Sequence, residues 1–145
     1  MSPDEMFGLA SIAALPGWAI LILAPRRWPL LNAVPALIIP LGLAALYAGL
    51  VLTHFSASGG GFGSIAQVRQ LFMSDPALVA GWVHYLAFDL MVGTLLAARL
   101  DRIGVNRLLQ APILISTFMF GPVGVLLTLL TEAGLRLPQL TPKRT

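Results

Sequence analysis

Two histidines and no cysteine narrow the chemistry this chain can carry. Without thiols it can form no disulfide frame, no thiolate metal site, no thioether-held haem and no cysteine nucleophile. A metal centre needs three or four ligands, so none is expected, and haem ligation by His54 and His84 is the one metal-type alternative. No other cofactor is expected. What remains is acid–base chemistry, concentrated in one string, Gly81-Trp82-Val83-His84-Tyr85-Leu86-Ala87-Phe88-Asp89-Leu90-Met91-Val92-Gly93. It lies inside an apolar stretch beginning at Asp75-Pro76. At about 1.5 Å per residue, Asp89 sits about 20 Å below Pro76, just past the midplane of a hydrocarbon core about 30 Å thick. An ionisable side chain at that depth is costly and marks a functional residue by default.

Helical spacing places Gly81, Tyr85, Asp89 and Gly93 on one stripe, with His84 and Phe88 on the next. Tyr85 is then positioned to donate to Asp89, and the glycines let a neighbouring backbone or a flat ligand approach. His84 stands about 140° around the helix axis from Asp89, so the two do not stack, although both can border one groove between helices. Asp89, His84 and Tyr85 are the candidate catalytic residues. The competing structural reading has Asp89 hydrogen-bonded across the bundle to Tyr47, Ser116 or Thr117. Near the C-terminus, Ser116-Thr117-Phe118-Met119-Phe120-Gly121-Pro122-Val123-Gly124 predicts a helix kinked at the depth of Asp89, because Pro122 frees a carbonyl near Phe118. Pro16-Gly17-Trp18 puts another kink and another ring at mid-depth. These residues predict an apolar cleft with one acid at its floor, walled by Trp18, Tyr47, Trp82, Phe88, Thr117, Phe118, Phe120 and Pro122.

The elements that must hold such a cleft are membrane spans. Of the 145 residues, 57% are hydrophobic and 10% charged, with mean hydropathy +0.86, against about 25% charge in a soluble domain. Four apolar runs, about 6–24, 30–52, 76–98 and 111–130, predict an all-α membrane protein with four transmembrane helices in a single domain. Between the second and third, Gly59-Gly60-Gly61-Phe62-Gly63 reads as a flexible joint. Ser64 with Gln67 then has capping-box spacing, and Ile65, Val68, Leu71 and Phe72 share a face, predicting a short amphipathic helix in the membrane interface. Asp75 is expected as the N-cap of the third span, with Pro76 at its first position. The tail is expected to fray after Leu137, leaving 138–145 flexible. The formal charge of +3 comes from scattered residues and forms no stripe, which argues for lipid headgroups and against nucleic acid. With four crossings the basic residues divide almost evenly: Arg26, Arg27, Arg99, Arg102 and Arg107 on one side, Arg69, Arg136, Lys143 and Arg144 on the other. The flanks of the first span favour the first group inside. Acidic Asp4-Glu5 ahead of the first run and Pro25-Arg26-Arg27 after it reverse the order of a cleaved signal peptide.

The strings Leu15-Pro16-Gly17-Trp18, Trp82-Val83-His84-Tyr85-Leu86-Ala87-Phe88-Asp89-Leu90 with Val92-Gly93, and Thr117-Phe118-Met119-Phe120-Gly121-Pro122 with Gly124 resemble the abscisic-acid-deficient-four-like family. That family includes a plant plastid protein required for neoxanthin formation and small bacterial relatives. The resemblance covers all four apolar runs in order. It implies a four-helix membrane protein tied to carotenoid chemistry, in which an epoxide of a polyene opens by isomerisation without a redox cofactor, with Asp89 and His84 as acid and base and Tyr85 assisting. It departs from the family after Gly93, where Thr94-Leu95-Leu96-Ala97-Ala98-Arg99 replaces a more polar continuation. No transit peptide is read, so a bacterial inner membrane is the expected location. A non-catalytic carotenoid-binding or assembly factor and a small proton-linked transporter are the competing functions. Expected partners are membrane lipid, an apolar polyene and, through Gly or Ala faces, a second copy of the chain.

Overall fold

The computed structural model describes residues 1–140, with side chains through residue 136. Among the described residues every regular element is helical. Helix α1 (Pro3–Leu23) starts at a capping box, in which the Ser2 hydroxyl accepts from the Glu5 amide and the Glu5 carboxylate accepts from the Ser2 amide. It runs through Pro16 without ending. Helix α2 (Pro29–His54) is continuous but carries a π-turn at Val34–Ile38, where Pro35 lacks the amide a regular ladder needs. Helix α3 (Ile65–Leu71) is short, α4 (Asp75–Arg102) is the longest, and α5 (Arg107–Phe120) and α6 (Pro122–Leu140) complete the chain.

Helices α1, α2 and α4 are long and apolar enough to cross a membrane. Helix α4 is central, packed between α1 and α2 through Ala80, Val83, Leu86, Ala87 and Leu90. The packing is close: a Cβ on Gly17 would lie 2.7 Å from a Leu90 methyl, and one on Gly93 2.6 Å from the Trp18 ring. The start of α4 differs from expectation by one residue, since Ser74 is the N-cap and Asp75 stands in the first turn. Helix α3 is capped as expected by the Ser64 hydroxyl, which accepts from the Gln67 amide at 3.2 Å, while the Gln67 side chain accepts instead from Gly63. Of its apolar face, Leu71 is buried and Ile65 exposed.

The expected fourth span is not one helix. Gly121 ends α5 with φ +37, a conformation that excludes most side chains, and Pro122 opens α6. Downstream contacts fix the direction of α6. Leu127 packs against the cluster of Leu100, Val105 and Ile113, and the Glu132 carboxylate pairs with Arg99. Helix α6 therefore runs back alongside α5, and the two form a hairpin with its tip at Gly121. The physical reason is the Gly-Pro pair: a positive φ followed by a residue with no amide breaks the ladder outright, where a lone proline would only bend it. At about 1.5 Å per residue, fourteen residues carry α5 only about 21 Å from its start. The tip consequently reaches the middle of α4, not its far end. The backbone of α6 stays helical through 138–140, where fraying was expected, and 141–145 lie outside the described residues.

Two arginines tie the base of the hairpin to α1. Arg26 donates to the Leu21 carbonyl and pairs with Asp101 at 3.0 Å, while Arg107 donates to the Ile22 carbonyl at 2.8 Å. Both satisfy carbonyls that the helix end leaves free. Asp101 also accepts from Gln110, which is almost fully buried.

Candidate functional site

The hairpin tip meets α4 at the residues singled out for chemistry. The Tyr85 hydroxyl donates to the carbonyls of Phe118 and Met119, at 3.1 and 3.0 Å. These belong to the last turn of α5, whose carbonyls have no helical partner once Gly121 turns the chain. Tyr85 thus pins the tip while staying within reach of Asp89, the partner expected for it. One turn deeper, the Asp89 carboxylate lies against Gly121, in the space a Cβ there would occupy. Its Oδ2 is buried and has no hydrogen-bond partner among the described residues. Leaving a carboxylate oxygen unpaired away from water is expensive, and among the described residues no other acidic oxygen is both buried and without a partner.

None of the partners weighed for a purely structural Asp89 takes that role. Ser116 donates to the Pro112 carbonyl and Thr117 to the Ile113 carbonyl, each within its own helix. Tyr47 instead packs on His84, with ring centroids 5.3 Å apart.

Because the hairpin stops at mid-depth, the face of α4 above Tyr85 is uncovered. A groove of about 680 Å³ opens there, lined by Pro3, Asp4 and Phe7 of α1, by Leu78, Trp82 and Tyr85 of α4, and by Phe72. The Trp82 indole donates to the Ser11 hydroxyl at 2.9 Å and its ring packs between Phe7 and Tyr85. Tyr85 closes the floor of this groove, with Asp89 one turn beyond it. A second groove of about 450 Å³ lies on the α2 side of α4, lined by Tyr47, Leu50, Phe55, Phe62 and His84. The two share only Gly81 and Phe72. Phe72 is the wall between them: a Cβ on Gly81 would stand 2.7 Å from its ring.

The structure therefore brings together Asp89, Tyr85, Phe118 and Trp82. It sets His84 apart, stacked on Phe88 at 4.4 Å and facing Tyr47. Trp18 is buried over Gly93 and against Phe118, and Thr117 is fully buried, so neither faces a groove. Phe120 and Pro122 are exposed at the tip. His54 hydrogen-bonds Thr53 and the Leu50 carbonyl, and no group of three or more metal-ligating side chains occurs among the described residues. Sequence reasoning missed Phe72 and Phe7 as groove walls, and Ser11 as the acceptor that holds the Trp82 indole. It also missed Gly121 as a turn, although glycine followed by proline is the signal of one helix ending and another starting.

Three long apolar helices around a half-length hairpin, with a buried carboxylate oxygen at its tip, define an all-helical protein of membrane type. The model of the ABA DEFICIENT 4-like family matches residues 5–127, from the first turn of α1 past the hairpin tip, and the chain belongs to that family. No curated protein and no solved structure matches the chain.

Proposed function

We propose that the protein is an integral membrane isomerase acting on a carotenoid or related polyene isoprenoid by acid–base chemistry at Asp89. The observation that carries this reading is the Asp89 carboxylate at the hairpin tip, buried and unpaired at Oδ2 and one turn below a groove walled by Phe7, Phe72, Leu78 and Trp82, with Asp4 and Asp75 also on its lining. A rigid, apolar, rod-shaped substrate enters such a groove from lipid without crossing water. Family membership supports the substrate class, through the carotenoid chemistry linked with the family.

For an epoxide end group the step balances without a redox partner. Protonated Asp89 gives its proton to the epoxide oxygen and the C–O bond breaks. A proton leaves a carbon along the polyene, its C–H electron pair becoming the new C=C bond, and the carboxylate accepts it, restoring the acid. Substrate and product have the same composition. Tyr85 acts as a positioning residue, holding the carbonyls of Phe118 and Met119 so that the tip stays against Asp89. His84 lies in the other groove, across the Phe72 wall, and takes no part in this step.

The test is expression of wild type and Asp89→Asn in bacteria engineered to accumulate different carotenoids, epoxides included, followed by chromatography of the pigments. A new isomer formed only by the wild type is the expected result. Conversion by Asp89→Asn at the wild-type rate removes Asp89 from the mechanism. The second reading, a pigment-binding or assembly factor, is favoured by the burial of Trp18 and Thr117 away from the grooves. It predicts equal pigment retention by both proteins with no conversion.

A further inference from the structure

A third groove, of about 720 Å³, separates α4 from the returning helix α6, on the far side of the hairpin tip from the site above. Its length is apolar, walled by Val92, Leu95 and Leu96 of α4 and Val125 of α6, and its end is ionic, formed by Arg99, Arg102, Arg136 and Glu132. The ionic end is built, not incidental. Glu132 is buried, and its carboxylate accepts from Arg99 at 2.7 Å on Oε2 and from Arg136 on Oε1. One carboxylate thereby holds two guanidiniums side by side, and Arg102 adds a third at the same end. Three cations against one anion leave a net charge of +2 where the apolar walls stop.

The dimensions match one leaflet. From Val92 to Arg102 is ten residues, about 15 Å along the helix, half of a hydrocarbon core about 30 Å thick. Val92, three residues beyond Asp89, stands about 4.5 Å further past the midplane, so the apolar walls lie within one leaflet and the arginines at headgroup level. We infer that this groove is a binding site for one anionic glycerophospholipid, an acyl chain lying along Val92, Leu95 and Val125 and the phosphodiester meeting Arg99, Arg102 and Arg136. Guanidinium forks suit phosphate oxygens, and the excess charge selects an anionic over a zwitterionic headgroup. Glu132 fixes Arg99 and Arg136 side by side at the end of the groove. Because α6 forms one wall, the bound lipid also holds the hairpin against α4. Glu132 and Arg136 lie beyond the residues the family model matches.

The experiment is native mass spectrometry of the full-length protein titrated with phosphatidylglycerol, with phosphatidylcholine of the same chains, and with inorganic phosphate. Variants are Arg102→Gln and Arg136→Gln at the ionic end, Leu95→Trp to fill the groove, and Arg69→Gln at the opposite end of the molecule. We expect a one-to-one adduct with phosphatidylglycerol, weakened about fivefold by each ionic-end variant. It should be lost in Leu95→Trp and unchanged in Arg69→Gln, with all variants keeping the wild-type circular dichroism. Equal binding of the two phospholipids, or equal loss in Arg69→Gln, would overturn the site. Displacement of phosphatidylglycerol by millimolar inorganic phosphate would overturn it too, by showing a free-anion site.

Discussion

Gly121 shows how much one backbone conformation decides. Its φ of +37 is one that residues with a Cβ avoid, and the Asp89 carboxylate occupies the place a Cβ would take. Alanine there has to distort the turn and push the carboxylate aside. Gly121→Ala should cost about 1–3 kcal/mol, read as a lowered thermal midpoint in detergent, and should reduce turnover because the tip no longer closes on Asp89. Gly134→Ala is the matched control, since nothing lies near a Cβ at that position of α6. An equal loss in both variants would mean that the tip is not specially constrained. At this scale the site was half legible in the sequence. The sharing of a stripe by Tyr85 and Asp89 follows from 3.6-residue periodicity. The acceptors of Tyr85 did not, because they are main-chain carbonyls exposed by a turn that periodicity cannot show.

The hairpin is the element that organises the rest, and hydropathy alone misread it. Residues 111–130 hold enough apolar side chains to cross a bilayer, but apolarity fixes the environment of a segment and not its direction. The direction was written in Gly121-Pro122 and in Glu132, whose only described cationic partners are Arg99 and Arg136. Glu132 lies outside the three long spans. Hydrogen bonding by Arg99, reinforced by the charge of Arg136 and opposed by burial, holds its carboxyl below the usual glutamate range. A depressed folded-state value means that the pair stabilises the hairpin fully above about pH 4.3, the ordinary glutamate value. That contribution is lost as pH falls through the lower folded value. The thermal midpoint of the wild type should therefore drop on acidification below about pH 4, and Glu132→Gln should lie lower at neutral pH and show less of that drop. Parallel acid profiles for the two proteins would assign the acid sensitivity to other carboxylates. By contrast, α1, α2 and α4 were legible to within four residues at each end, because long apolar runs leave few alternatives.

For the whole molecule, the hairpin changes the membrane topology. If residues 107–140 crossed the bilayer, the basic residues would split nearly evenly between its faces, which is how four crossings make the sequence read. With α6 returning, Arg26, Arg27, Arg99, Arg102, Arg107 and Arg136 all lie at one end of the bundle and Arg69 alone at the other among the described residues. By the positive-inside rule a bias of six to one predicts a hairpin base facing the cytoplasm and an α2–α4 connection, with α3, facing outward. The absence of native cysteine makes this directly measurable. Single cysteines at Ala57, Arg27 and Ala133 all replace exposed residues. In intact cells a membrane-impermeant maleimide should label Ala57→Cys. Arg27→Cys and Ala133→Cys should react only after permeabilisation. Labelling of Ala133→Cys together with Ala57→Cys would make α5 and α6 a crossing, and would remove both the mid-membrane tip and the one-leaflet groove that depends on it. Labelling of Arg27→Cys and Ala133→Cys alone would keep the hairpin and invert the molecule, placing the lipid-binding arginines in the outer leaflet.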